Sequence, residues 1–368
     1  MLKPFYTLIA FLTIGAYTYG QENLAQILNM QSSPKIYAAK KTQEPILIDG
    51  IANEAAWKEA LWSDDFIDIE GNIKPKPRFD TKVKMLWDDK YLYIYAQLEE
   101  PHIWGTLTEH DAIIYHDNDF EVFIKPSEHQ SLYYEIEVNA LNTIMDLMMA
   151  KPYRLGGEAI MHWDVKNLKS AVHIEGTLNN PNDIDQYWSV EMAIPFTSIS
   201  SFGRTSTPKV NDFWHINFSR VQWQHSIQNG QYKRKVENGK RLAEDNWVWS
   251  PIGIINMHYP EKWGYIQFTD NLKTNDLAKS HRIEQVAWDI YYLQQLYSQS
   301  TRAKYSGKLE SLPGFDKVLK SKMAGIKHTI TINKGKTLYK IELTDTNNHL
   351  KVTIDNFGNY TISDEISM

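Results

Sequence analysis

The chain has no cysteine, so neither a disulfide framework nor a thiolate metal site is available, and no lipid can be attached through a cysteine. It has no excess of positive charge. The formal net charge is -6, and its 39 Lys and Arg are interspersed with 45 Asp and Glu rather than blocked, which argues against a nucleic-acid partner. There is no Gly-rich phosphate loop, no H-E-x-x-H among the 12 histidines and no G-x-S-x-G, which leaves zinc hydrolysis and an esterase-type nucleophile without support. Long apolar runs are missing except near the start. There, Lys3, the stretch "LIAFLTIGA" (Leu8 to Ala16) and the small residues Thr18 and Gly20 have the layout of an export signal over residues 1–20. The run is shorter than the ~20 apolar residues of a membrane span. The expectation is a protein without membrane insertion after signal cleavage, periplasmic or secreted, and not a lipoprotein.

What the chain does have is a 42% hydrophobic content over 368 residues, enough to bury a large core. Residues 21–42 are polar and weakly periodic, and read as a linker or arm. From "PILIDG" to about Asp270 the pattern is short alternating runs: "TKVKMLW", "YLYIYAQL", "DFEVFIK", "YYEIEVNA", "WSVEMAIP" and "WHINFSRVQW". Alternation with period two, bounded by Gly, Pro, Asn and Asp, predicts half-buried antiparallel strands. Several at this spacing predict an all-β sandwich over 43–270. "NEAAWKEA" predicts one short helical turn capped by Asn53. After Asp270, Ile283, Val286, Ala287, Ile290, Leu293 and Tyr297 share one helical face behind a Ser280 cap. "HTITI", "TLYKIEL", "HLKVTID" and "NYTIS" then predict a small β-meander in 271–368.

Aromatic rings and acids carry the functional signal. The chain holds 12 Trp and 21 Tyr, and "EDNWVWSPIGIINMHYPEKWGYIQF" places Trp247 and Trp249 on one face of a strand. Rings that stack on the C–H faces of sugars, beside acids and amides that bond hydroxyls, suit carbohydrate. The competing reading makes them core, as expected for Trp57, Trp87 and Trp263. "HDNDFEVF" puts Asp117, Asp119 and Glu121 on one strand face, where like charges repel unless something intervenes. A calcium site of oxygen ligands, a catalytic carboxylate pair and a polar ligand-facing edge all fit. Glu191 of "WSVEMAIP" and Arg220 of "INFSRV" read either as a structural ion pair between neighbouring strands or, for Arg220, as a fork for sugar hydroxyls.

Taken in order, "ILIDGIANEAAW", "VKMLWDDKYLYIYAQLEE", "DNDFEVFIKP", "YYEIEVNA", "WSVEMAIPF", "INFSRVQW" and "WGYIQF" resemble the family 9 carbohydrate-binding modules, a DOMON-like β-sandwich group, over roughly Pro45 to Asp270. The resemblance implies sugar chain ends held between two aromatic rings, with structural calcium in some members. It assigns ligand contacts to Glu121, Asn139, Arg220 and Asn246, and a ring to Trp249. The second ring departs from the family pattern: Tyr115 stands where the family has tryptophan, and Trp104 of "PHIWGT" is the alternative. The expectation is an exported protein that binds poly- or oligosaccharide without covalent chemistry, in the company of polysaccharide-degrading enzymes. The rivals are a glycoside hydrolase using Asp119 or Glu121 with an acid such as Glu191, and a haem-binding electron carrier through Met257 and His258.

Overall fold

The computed structural model describes residues 23–126, 131–200, 207–273 and 277–364; the export-signal segment 1–20 lies outside the described residues. Each of the six alternating runs is a strand: Thr81–Trp87, Tyr91–Glu99, Asp119–Lys125, Tyr133–Asn139, Tyr187–Pro195 and Phe213–Gln222. They belong to one continuous curled sheet. One half orders Ile144–Met149, Tyr133–Asn139, Asp119–Lys125, Phe213–Gln222 and Gly264–Thr269; the other orders Thr81–Trp87, Tyr91–Glu99, Tyr187–Pro195 and Lys169–Glu175. The halves face each other across a core that includes Phe120, Val122, Ile136, Phe218, Ile94 and Met192. This is the β-sandwich that the alternation predicts.

The joint between the halves comes from the segment read as an arm. Residues Leu24–Asn29 form a helix with a reciprocal Asn23–Gln26 capping box, and Ile36–Lys41 is a strand that pairs in parallel with Gly264–Thr269 on one side and with Thr81–Trp87 on the other. Alternation in "IYAAKK" is weak because small alanines replace branched residues there, so its strand character is set by the neighbours. Asn53 does not cap the short helix Ala55–Glu59; Glu54 stands at that position and makes no side-chain cap bond. Ser280 does precede the helix His281–Ser300, again with no side-chain cap bond.

That helix and the meander Ile326–Ile332, Tyr339–Asp345, Leu350–Asp355 and Tyr360–Asp364 form further layers on the outside of the sandwich. Their apolar side chains (Ile283, Val286, Ile290, Ile341, Val352) share a second core with Phe123, Tyr133 and Trp263 from the outer face of the sheet. The C-terminal unit therefore completes burial of a sheet face. Among the described residues no helix is long and apolar enough to cross a membrane.

Candidate functional site

The strand Asp119–Lys125 is buried at all seven positions, because the sandwich core covers one face and the added layers cover part of the other. Its outward side chains change character along its length. Lys125 meets Glu284 of the C-terminal helix at 3.6 Å, and Phe123 packs in the shared outer core. Glu121 and Asp119 lie beyond the edge of those layers.

There the sheet forms the floor of a cleft of about 400 Å³, lined by Glu121, Glu135, Glu137, Tyr115, Asn246 and His258, with Met145, Met257 and Tyr153 among the walls. Such a volume lies in the ~300–1,000 Å³ range of small-molecule sites. The pairing register explains the floor: Glu121 stands directly opposite Glu137, and Asp119 opposite Asn139. Like charges at opposed positions are destabilising, and among the described residues no lysine or arginine lines the cleft. The carboxyls respond by holding their protons. Burial pushes Glu121 up to about 7, with Glu244 adding to it. Burial and then Glu121 push Glu135 up to about 8. Burial, reinforced by neighbouring acids, raises Asp119 and Glu137 well above the usual carboxylate range. A carboxyl in this state both donates and accepts hydrogen bonds.

The resemblance-derived residues divide. Glu121, Asn246 and Tyr115 line the cleft. Tyr115 is 41% exposed, held by its backbone N–H to Glu137 Oε2 at 3.0 Å and by its carbonyl, which accepts from Trp223 Nε1 at 2.7 Å. Among the described residues the Asn246 carboxamide has no hydrogen-bond partner, while its backbone carbonyl accepts from Ile69 N.

The other four are spent inside the fold. Trp249, expected as a stacking platform, is 2% exposed and lies in the sandwich core against Phe218. Its ring fits because position 264 is glycine: a Cβ there would come within 2.5 Å of Trp249 Cζ3. Trp104 is 3% exposed in a separate cluster with Trp223 and Tyr232. Arg220 points to the opposite face from Glu121 and is buried beside Trp247. Its guanidinium bonds Gln222 Oε1 at 2.7 and 2.9 Å, the Glu99 carbonyl at 2.8 Å, Thr81 Oγ1 at 3.0 Å and Glu100 Oε2 at 3.2 Å. Burial lowers it to about 10 against the opposing charge of Glu100. Asn139 donates to the Leu107 carbonyl and Asp117 Oδ2, and its Oδ1 accepts from the backbone of Leu141 and Thr143.

Asp117 and Glu191 are corrected in the same way. Asp117 takes the backbone N–H groups of Thr106 and Leu107 at 2.7 and 2.9 Å together with the Thr106 hydroxyl, so it clips a loop. Glu191 accepts from the backbone of Asp49 and Gly50 and from Trp57 Nε1 at 2.8 Å. It sits in the other half of the sandwich, where it can form neither an ion pair with Arg220 nor a catalytic pair with Glu121. Trp263 is core, its Nε1 donating to the Met257 carbonyl, and Trp247 is 3% exposed. Met257 and His258 lie in a loop at the cleft wall, where the His258 ring Nδ1 is 2.7 Å from the Tyr133 hydroxyl.

Glu135 and Glu137 were legible but not singled out. "YYEIEVNA" carries its acids with the same period as "DFEVFIK", and two such strands in antiparallel pairing bring four acids together.

Three comparisons bear on this arrangement. Residues 48–221 match the family described as carbohydrate family 9 binding domain-like. A segment of 88 residues is 31% identical to endo-1,4-beta-xylanase C of Paenibacillus barcinonensis, covering 24% of this chain and 7% of the xylanase. Among solved structures, a candidate carbohydrate-binding protein of Bacteroides uniformis superposes with a TM-score of 0.47 at 15% identity, over 64% of this chain and 100% of that one. A family 9 carbohydrate-binding module of Caldicellulosiruptor kristjanssonii in complex with glucose gives 0.38 at 16% identity, over 66% and 100%. The matched segment contains Tyr115 and the cleft carboxyls Glu121, Glu135 and Glu137, and stops short of Asn246. Over residues 48–221, just under half of its length, the chain is similar to the carbohydrate family 9 binding domain-like family.

Proposed function

We propose that this is an exported carbohydrate-binding protein acting in polysaccharide breakdown, and that it holds a saccharide in the cleft above Glu121. The observation that carries the reading is the pairing of an exposed tyrosine ring with a floor of buried, proton-holding carboxyls in the segment that matches the family. Tyr115 offers an apolar face to the sugar ring. Glu121, Glu135, Glu137 and the free carboxamide of Asn246 exchange hydrogen bonds with its hydroxyls. A cleft that is acidic and, among the described residues, lined by no lysine or arginine favours a neutral saccharide over a sulfated or uronic one. One ring contact and a few hydrogen bonds correspond to affinities in the micromolar to millimolar range, ~4 to 8 kcal/mol. Export is supported by the residue pattern of positions 1–20, and the role in polysaccharide breakdown by the xylanase segment. Affinity electrophoresis in gels containing neutral, uronic or sulfated polysaccharides tests the reading. Retardation by a neutral polymer that is lost in Tyr115→Ala is expected; retardation unchanged in Tyr115→Ala, or none on any polymer, overturns it.

Glycoside hydrolysis is a second reading, favoured by one observation. Glu121 and Glu137 face each other across paired strands with carboxyl oxygens within 4.8 Å, no farther apart than the ~5–5.5 Å of retaining enzymes, and burial places Glu121 at about 7, where an acid would need to be. Release of reducing ends by the wild type and not by Glu121→Gln would establish it. A protein that retains the polymer and releases none would dismiss it.

A further inference from the structure

We propose a site for a zinc-type divalent ion formed by His110, Asp111, Asp146 and Asp164, none of which lines the cleft. It is assembled from three segments. His110 and Asp111 belong to the loop that leads to Tyr115, Asp146 to the strand Ile144–Met149, and Asp164 to the stretch before the strand Lys169–Glu175. The Ile144 carbonyl fastens the first segment to the strand, accepting from the Asp111 backbone N–H at 3.0 Å and from His110 Nδ1 at 2.9 Å. Asp146 Oδ2 fastens the third, accepting from the Val165 backbone N–H. One ligand atom from each of the four residues lies within 4.8 Å of the others.

Two features favour a metal over a plain ion-pair cluster. The first is the set of the histidine. A carbonyl can only accept, so the bond to Ile144 places a proton on Nδ1 and turns Nε2 toward the carboxyls, as a backbone carbonyl does for a metal-bound imidazole. Nε2 lies 3.2 Å from Asp164 Oδ1 and 3.7 Å from both Asp111 Oδ1 and Asp146 Oδ1. Atoms bonded to one tetrahedral zinc at ~2.0–2.2 Å stand about 3.3 to 3.6 Å apart. The second feature is unmet polar demand. Asp146 is 2% exposed, and its Oδ1, like that of Asp111, is buried without a hydrogen bond. A proton on Nε2 can satisfy one of the three oxygens, whereas an ion at their centre would bond all three and Nε2 as well. Among the described residues His110 is the ion-pair partner of all three carboxylates, so a single imidazolium would face three negative charges. Four protein ligands make a closed, structural shell, which would clip both loops to the strand. The imidazole separates this site from the structural calcium implied by the family resemblance, because calcium takes oxygen ligands.

The test uses the full chain without a histidine tag, stripped of metal with EDTA and dialysed against micromolar zinc chloride, with bound metal counted by atomic absorption. His110→Ala and Asp164→Ala are compared with His173→Ala, which removes one member of a separate surface pair, His173 with Glu175. The His110 and Asp164 side chains are 55% and 62% exposed, so both variants should fold, and melting curves without metal report whether they do. One zinc per chain is expected in wild type and in His173→Ala, with affinity at least tenfold lower in His110→Ala and Asp164→Ala. Zinc should raise the melting temperature of wild type and leave that of His110→Ala unmoved. In 15N NMR of histidine-labelled protein, zinc should shift the Nε2 signal that is missing from His110→Ala. No zinc bound to wild type, zinc held equally by the His110 and Asp164 variants, a shift confined to other histidines, or zinc displaced by an equal concentration of calcium overturns the site.

Discussion

Replacing Glu284 by glutamine should loosen the C-terminal layer from the sandwich. Glu284 sits in the first turn of the helix His281–Ser300, 2% exposed, with Oε2 3.0 Å from His215 Nε2 and Oε1 3.6 Å from Lys125 Nζ. Burial by itself would raise its carboxyl; Lys125 and His215 outweigh burial and hold it down to about 2, from an ordinary 4.5. At ~1.4 kcal/mol per unit this is about 3 kcal/mol of stability. The sign follows from the direction: a depressed carboxyl contributes fully above pH 4.5, and the contribution is lost as pH falls toward 2. Glu284→Gln removes it at every pH and leaves Lys125 buried without a counter-charge, for a cost of about 3 to 5 kcal/mol near neutrality. Urea unfolding followed by tryptophan fluorescence, at pH values from 7 to 3, measures the difference between wild type and variant. That difference should be level above about pH 5 and shrink below it. A difference under about 1 kcal/mol at pH 7, or one that does not change with pH, would refute the claim that this buried ion group fastens the helix to the sheet.

Three further outcomes follow from the same geometry. Trp249→Ala should cost about 3 to 5 kcal/mol in stability, as a fully buried ring does, and thermal unfolding checks it; an unchanged melting temperature with lost saccharide affinity would restore Trp249 as a contact residue. Tyr115→Ala should leave the melting temperature within a degree or two while weakening saccharide about tenfold, since its ring is exposed and its anchoring bonds are made by its backbone; calorimetry and melting curves on one preparation separate the two effects. The His258 imidazole, lowered to about 4 by burial and then by Arg154, should stay neutral down to about pH 5 in NMR titrations, and ionisation near 6.5 would contradict its placement against Tyr133.

The strands were legible because six runs alternate with period two and end in turn residues, and the helix because its apolar residues recur on one face. Which face of a strand looks inward was not legible. Alternation separates two faces, but in this protein the outer face of one half of the sandwich is itself covered, so Arg220 and Trp249 on the inner face and Glu121 on the outer face are all buried. A sequence gives no sign that Arg220 will spend its donors on Gln222 two residues on and on Thr81 and the Glu99 carbonyl, contributed by segments more than 100 residues away. The acidic floor was half legible. "HDNDFEVF" announced its own repulsion, but which acids meet depends on register, and register set Glu137 against Glu121 while Asp117 was taken by the Thr106 loop. The strand Ile36–Lys41 was missed because parallel pairing between distant segments leaves little local pattern.

The most direct test of the account is isothermal titration of a neutral oligosaccharide, chosen from the polymer that retards the protein, into wild type, Tyr115→Ala and Trp249→Phe. The account predicts saturable micromolar to millimolar binding to wild type, about a tenfold loss in Tyr115→Ala, and affinity unchanged in a folded Trp249→Phe. Affinity that survives in Tyr115→Ala and falls in Trp249→Phe would contradict it and move the site away from the cleft above Glu121.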